Sequence, residues 1–373
     1  MRPTLTRLNL HRLALGSALA FAHAALPGLG AAMVPVHYTP DAVAPSTLQT
    51  VHRGFISFDT PPILHVKSGQ TVKIDTLSHG GLTEDPVAFF AEAGIPAKDV
   101  LPDAIAVAKA SPRTQGFGGH VLTGPIYIDG AEPGDMLEVR ILKVTPRTYY
   151  GVNNVGPGGV APGVLTQADA KVIKFDVKRN VQLFAPGIEP QMRPFMGIMA
   201  VAPAPEIGRV SSGPPGPFGG NMDFRRLTAG STLYLPVFNK GALFVTGDSH
   251  AGQGDGEVSG NANESSMAPL LQFIVHKGEG KAMRLPWAED AANYYVLGMD
   301  PDLGKAAEAA VTETIHWLHE RKGLSLSDAY HLCSVGVDFS IAQAVDKNLI
   351  IYGAIPKAAF KRKTPYWLKP VGK

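Results

Sequence analysis

From about residue 51 onward the chain is written in short β-branched or alternating apolar runs, at 63–66, 71–74, 125–128, 136–142, 171–177, 231–238 and 270–275. Between them stand Lys-Ser-Gly, Asp-Gly, Pro-Gly-Asp and Asn-Lys-Gly turns. A short run closed by glycine or proline reads as a strand, and many in succession read as a β-sandwich or barrel-like domain. Gly 41 and Pro 31 in 373 residues agree with this and make long helical bundles or coiled coils untenable. Two long segments interrupt the pattern. One, 83–119, holds a helical stretch around 87–93; the other, 152–163, is dense in glycine and proline, and loops of such length usually shape a site. Past Trp287 the texture changes. Residues 305–323 are apolar at helical spacing, and Ser327 is expected to cap a second helix through Cys333. The expected class is therefore mostly β, with a smaller α+β C-terminal part.

Charge and cysteine use narrow the function. Lys+Arg 34 against Asp+Glu 32, with no run of like charge, leaves no electrostatic footprint for nucleic acid or an anionic membrane. A single cysteine excludes an intramolecular disulfide and a cysteine-based zinc cluster. At the N-terminus, Arg2, Arg7 and Arg12 precede an apolar, alanine-rich stretch at 13–25, the order of a secretory signal. That stretch is short of the roughly 20 residues a membrane span needs, so no permanent anchor is expected. The expected organisation is a signal and leader at 1–32, a β-rich catalytic domain at 33–285 and a smaller α+β region at 286–373, in a periplasmic or secreted protein.

The chemistry concentrates in Gly247-Asp-Ser-His-Ala-Gly-Gln-Gly-Asp-Gly-Glu-Val258, which follows an apolar run. In an extended chain Asp248 and His250 lie on one face, where a carboxylate and an imidazole can meet one cation. Glycines 252, 254 and 256 let the chain reverse and carry Asp255 and Glu257 back towards that place, and Asp223 adds a further acid. Oxygen donors with one histidine suit Zn²⁺, Mn²⁺ or Ca²⁺. The competing reading is that Asp248 and Asp255 cap turns and His250 is a hydrogen-bonded core histidine.

In order and spacing, Gly219-Gly-Asn-Met-Asp223, Ser231-Thr-Leu-Tyr-Leu-Pro-Val237, Gly241-Ala-Leu-Phe244, the 247–258 motif and Glu264 resemble the acetamidase/formamidase family. His120, Thr123-Gly-Pro-Ile-Tyr-Ile-Asp-Gly-Ala-Glu-Pro-Gly-Asp135 and Pro194-Phe-Met-Gly-Ile-Met-Ala-Val-Ala-Pro203 extend the resemblance, which covers about residues 58–275. It implies a jelly-roll-like sandwich or barrel, a divalent metal near the acid and histidine cluster, and hydrolysis of a short carboxamide to the acid and ammonia. Phe218 stands where many relatives carry a histidine before Gly-Gly-Asn.

Amide hydrolysis needs a polarised carbonyl, an activated water and a proton for the amine. The expected metal set is Asp223, Asp248 and His250, with Zn²⁺ ahead of Ca²⁺ or Mn²⁺, and Glu257 is the expected base. Glu264 is a reserve base. In an unbroken strand from Glu257 it would face the other way and contribute only through a bulge. His120 and His79 stand in glycine-rich loops; His120 is a further catalytic candidate, and His79, Asn221 and Phe218 are expected pocket residues. A small amide is the expected substrate and a homo-oligomer the expected assembly. Cys333 sits within an apparent helix and reads as structural, and Gly247-Asp-Ser-His-Ala251 lacks the final glycine of a serine nucleophile elbow. The alternatives are hydrolysis of a cyclic amide and a non-catalytic periplasmic binding domain of the same fold.

Overall fold

The computed structural model describes residues 34–111, 115–361 and 365–368, and the compact unit begins at Pro35. The signal-like segment 1–32 lies outside the described residues. Two large sheets carry the molecule. The first has nine strands in the order Ala42–Ala44, Thr71–Ile74, Met267–His276, Met136–Pro146, Thr232–Pro236, Trp287–Glu289, Asn293–Asp300, Leu349–Pro356 and Asp338–Gln343. The second has the order Gly219–Asn221, Phe195–Ala200, Phe244–His250, Val121–Asp129 and Val51–Arg53, with Leu64–Lys67 parallel to Val121–Asp129. A three-stranded sheet of Tyr150–Val155, Asp169–Asp176 and Val181–Leu183 adjoins them.

One apolar cluster joins the two large sheets. It holds Val139, Ile141, Leu271 and Phe273 from the first and Ile126, Met196, Ile198 and Phe244 from the second. The rings of Phe244 and Phe273 meet 4.9 Å apart across it. The sheets are thus layers of a sandwich rather than the wall of a barrel, and the nine-stranded sheet ends in open edges at Ala42–Ala44 and Asp338–Gln343. Its central strands, Met267–His276 and Met136–Pro146, are buried on both faces for most of their length. Met267–His276 accordingly reads as a nearly continuous apolar run, whereas Met136–Pro146 alternates because its buried Glu138 and Arg140 pair with each other.

Among the described residues four α-helices stand outside the layers: α1 Pro86–Glu92, α2 Pro102–Ala110, α3 Leu303–Lys322 and α4 Leu326–Gly336. The 83–119 segment therefore holds two helices where one is expected, because Pro102 opens α2 at the first-turn position that tolerates proline. In α3 the Asp302 side chain accepts from Lys305 N and Gly323 closes the helix at φ +72°. The cap of α4 is Ser325, which accepts from Asp328 N, and Ser327 lies inside the helix. The first sheet runs on across residue 286, since Trp287–Glu289 pairs with Thr232–Pro236. Helix α3 packs on it so closely that a Cβ at Gly298 would lie 2.1 Å from Ala310 N. Cys333 is buried beneath α4 with Trp317 and Leu318, and burial pushes its thiol up to about 11, which leaves it inert. No helix among the described residues is long and apolar enough to cross a membrane.

Candidate metal centre

Both sheets deliver side chains to one place. Phe244–His250 supplies Asp248 and His250, Gly219–Asn221, on the far side of Phe195–Ala200 in the same sheet, leads into Asp223, and His120 directly precedes Val121–Asp129. His79 follows Thr71–Ile74 of the other sheet. Glu264 arrives by an isolated bridge to His250. The intervening Ser249 turns away and binds Thr76 and Ser265 through its hydroxyl, so Asp248 and His250 share the inward face. Gly197, on the adjacent strand Phe195–Ala200, makes room for them. A Cβ there would lie 2.4 Å from Asp223 Oδ1 and 2.8 Å from Asp248 Oδ2.

The inward groups are within ligand spacing of one another. His250 Nε2 is 3.2 Å from Glu264 Oε2 and 3.4 Å from Asp248 Oδ2. His79 Nδ1 is 3.1 Å from Asp248 Oδ1 and 3.8 Å from Glu264 Oε2, and His120 Nε2 is 3.8 Å from Asp248 Oδ2. On its other edge, His250 Nδ1 is 3.8 Å from Asp223 Oδ1 and 3.0 Å from Gln253 Oε1. His79 and His120 stand at the mouth, at 22% and 15% side-chain exposure, whereas Asp248, His250 and Glu264 are sealed behind them.

The backbone is strained at the same place. Among the described residues seven non-glycine residues have positive φ, and three are Asp223 at +41°, Asp248 at +51° and Glu257 at +44°. Each costs about 1–3 kcal/mol, and such strain gathers where side chains must be aimed.

Electrostatics follow from crowding. Burial raises Asp223 well above the ordinary carboxyl range, and Glu257, Asp346 and Asp248 add to this. Burial likewise raises Glu257 well above its range and Asp346 to about 6. For Asp248, burial acts upward, but His120 and His250 outweigh it and hold the carboxyl well below its usual value. For His250, burial acts downward and is overcome by Glu264 and Asp248, which hold the imidazole well above its usual value. Too many carboxyls share too little positive charge.

The donors fit a divalent cation. Six buried atoms of five of these residues have no hydrogen-bond partner among the described residues: both carboxyl oxygens of Asp223, Asp248 Oδ1, Glu264 Oε2, His79 Nδ1 and His250 Nε2. An unsatisfied buried group costs about 1–3 kcal/mol, and a cation among them offsets part of this. Two donors held at about 2.0–2.1 Å by a tetrahedral ion stand roughly 3.3 Å apart, within the range of the separations above. Oxygen and imidazole donors without a thiolate suit a hard or borderline ion. Among the described residues three groups bring their donor atoms within 4.8 Å of one another: His79, His120 and Asp248; Asp223, His250 and Glu257; and Asp248, His250 and Glu264.

Of the residues singled out in the sequence, Asp223, Asp248, His250, Glu257, Glu264, His79 and His120 converge here. Asn221 lies buried on the adjoining strand with its Oδ1 unpartnered. Glu264 enters without lying on an unbroken strand from Glu257, because the chain turns at Gly260, whose N–H donates to the Glu257 carbonyl. Phe218 is packed into the main apolar cluster and is no part of the cleft lining beside His79 and His120. Asp255 does not return to the centre; Arg225 holds it at 2.6 Å near the surface. Asp346 and Gln253 were not singled out. Asp346 is brought in from almost a hundred residues away, and only the place of Gln253 inside the 247–258 motif marks it.

A two-sheet β-protein with a candidate divalent-cation centre where strands of both layers meet is the class that fold and site define. Within it, the profile of the Acetamidase/Formamidase family matches residues 113–213 and 208–362. The chain belongs to that family. It is 26% identical over 199 residues to an acetamidase of Mycolicibacterium smegmatis, covering 38% of this chain and 49% of that protein. To a formamidase of Methylophilus methylotrophus it is 27% identical over 192 residues, covering 38% and 47%. The matches thus span about half the length of these curated relatives. The crystal structure of a recombinant predicted acetamidase/formamidase from Thermoanaerobacter tengcongensis superposes with a TM-score of 0.71 at 27% identity, over 85% of this chain and 96% of that one.

Proposed function

We propose that the protein hydrolyses a short linear carboxamide, formamide-like or acetamide-like, to the carboxylic acid and ammonia, with Zn²⁺ as its resident cation. The observation that carries this reading is the convergence of three imidazoles with the Asp248 and Glu264 carboxylates at a cleft of about 360 Å³ lined in part by His79, His120 and Asp346. Family membership and the names of the relatives support it. Asp248, His250 and Glu264, with His79 and His120 beside them, would hold the ion. When bound, it supplies a Lewis acid for the amide carbonyl and lowers the pKa of the attacking water. The chain supplies the rest. Closed walls keep bulk water from the centre, the imidazoles at the mouth orient the amide, and Glu257, whose carboxyl burial raises and so makes a stronger base, takes the proton of the attacking water and hands it to the departing nitrogen.

Ammonia release across formamide, acetamide, longer linear amides and a lactam tests this. Linear amides are expected to be cleaved, chelation to abolish cleavage and Zn²⁺ to restore it. Full activity in metal-stripped protein overturns the metal dependence. Release from the lactam alone assigns a cyclic substrate instead, and metal uptake with no release on any substrate turns the reading to a binding domain. The proposal places catalysis in 33–285 of a homo-oligomer exported to the periplasm through 1–32. The mature protein is expected to begin between Ala25 and Val34, and N-terminal sequencing that finds Met1 intact removes the export assignment.

A further inference from the structure

We infer that Gln253 is a positioning residue that holds the His250 ring with its proton on Nδ1, leaving the Nε2 edge for the cation; the inference rests on the metal-dependent reading above. An amide side chain has one donating and one accepting end. In Gln253 the donating end is committed, because Nε2 lies 2.7 Å from the backbone carbonyl oxygen of Asp223, which only accepts. The accepting end, Oε1, is then the atom 3.0 Å from His250 Nδ1. A carbonyl oxygen in that place takes a hydrogen bond only from a protonated Nδ1. Turning the amide over would set oxygen against oxygen at Asp223 and leave the NH₂ facing Nδ1.

The opposite edge of the ring has the complementary character. Nε2 is buried, makes no hydrogen bond, and faces Glu264 Oε2 at 3.2 Å and Asp248 Oδ2 at 3.4 Å. His79 approaches the same two carboxylates. At Nδ1, by contrast, the near position is filled by Gln253, and Asp223 Oδ1 stands 3.8 Å away. His250 thus divides two groups of acids, and Gln253 decides which of them shares an ion with the ring. A metal-bound imidazole ordinarily donates its second N–H to an oxygen acceptor, and loss of that acceptor weakens metal binding about 10–100-fold.

The test reads the ring nitrogens and the affinity. In zinc-loaded protein labelled with ¹⁵N-histidine, the His250 imidazole, assigned by through-bond correlation to its own backbone, is expected to carry a proton on Nδ1 and the metal on Nε2. The reverse pattern overturns the inference. By competition with a chelator, Gln253→Leu is expected to bind Zn²⁺ about 10–100-fold more weakly. Gln253→Glu keeps an accepting oxygen at Nδ1 and should recover part of that loss, since its second oxygen then meets the Asp223 carbonyl that Gln253 Nε2 donates to. Leucine at wild-type affinity, or glutamate as weak as leucine, overturns it. Should Gln253→Leu fail to fold, the ring pattern of the wild-type protein decides. Wild-type protein that takes up no zinc overturns the metal-centre reading and this inference together; wild-type protein that binds zinc through Nδ1 overturns this inference alone.

Discussion

Alanine at position 250 is expected to remove both the bound cation and the turnover while the fold survives. His250 is the one imidazole of the cluster that is fully buried, and its Nε2 lies between the Glu264 and Asp248 carboxylates at 3.2 and 3.4 Å. Truncation takes away a neutral donor to the ion and the group that separates these acids. It also leaves Gln253 Oε1 without the ring nitrogen at 3.0 Å, an unsatisfied group worth about 1–3 kcal/mol. That loss is smaller than the roughly 5–15 kcal/mol by which domains are stable, so a folded variant should be recovered. Metal content by elemental analysis and ammonia release should fall together, with the circular dichroism of the wild type retained. A variant with its full metal complement would make His250 a core histidine. The ligand set would then have to be built from His79, His120 and Asp248, which form a group of their own.

The parts of this site that can be read from the chain are the local ones. Alternation puts Asp248 and His250 on one face over three residues, and the structure keeps this even though Asp248 sits at φ +51°. The apolar spacing of α3 and its flanking Asp302 and Gly323 are also local, and the helix lies at 303–322 against an expected 305–323. What escapes is whatever depends on a partner far along the chain. Strand period alone places Glu264 out of reach of the Glu257 face. It joins the centre because the 251–263 excursion folds back and bridges it to His250. Asp255 has the right glycine-rich surroundings, but Arg225 and Arg226 lie thirty residues upstream in sequence and beside it in space. Phe218 reads as a pocket residue from the Gly-Gly-Asn that follows it. The sheet interface claims it, since an aromatic ring gains more from complete burial than from a wet cleft. Gly197 is marked in the sequence only by its place in the 194–203 stretch. Its role exists only because two acids from other segments press against its α-carbon.

Glutamine at position 257 should separate holding the cation from moving the proton. Glu257 is 6% exposed; burial raises its carboxyl well above the usual range, His250 opposes this, and Asp346, Glu264 and Asp248 reinforce it. A carboxyl raised in this way is the stronger base, able to take the proton of the attacking water and, in that protonated form, to pass it to the departing amine. Glutamine reproduces the volume and the neutral hydrogen bonding of that form, and it cannot give up a proton or take one back. Turnover is therefore expected to fall roughly 10²–10⁴-fold, with KM and zinc content close to wild type. Loss of zinc in this variant would instead make Glu257 a ligand alongside Asp223 and His250, the grouping their donor atoms already permit. The proton would then pass through Glu264, His79 or His120. If zinc and turnover both survive, the strained backbone at φ +44° serves the fold of the 251–263 excursion alone, and the donor must be one of the two imidazoles exposed at the mouth.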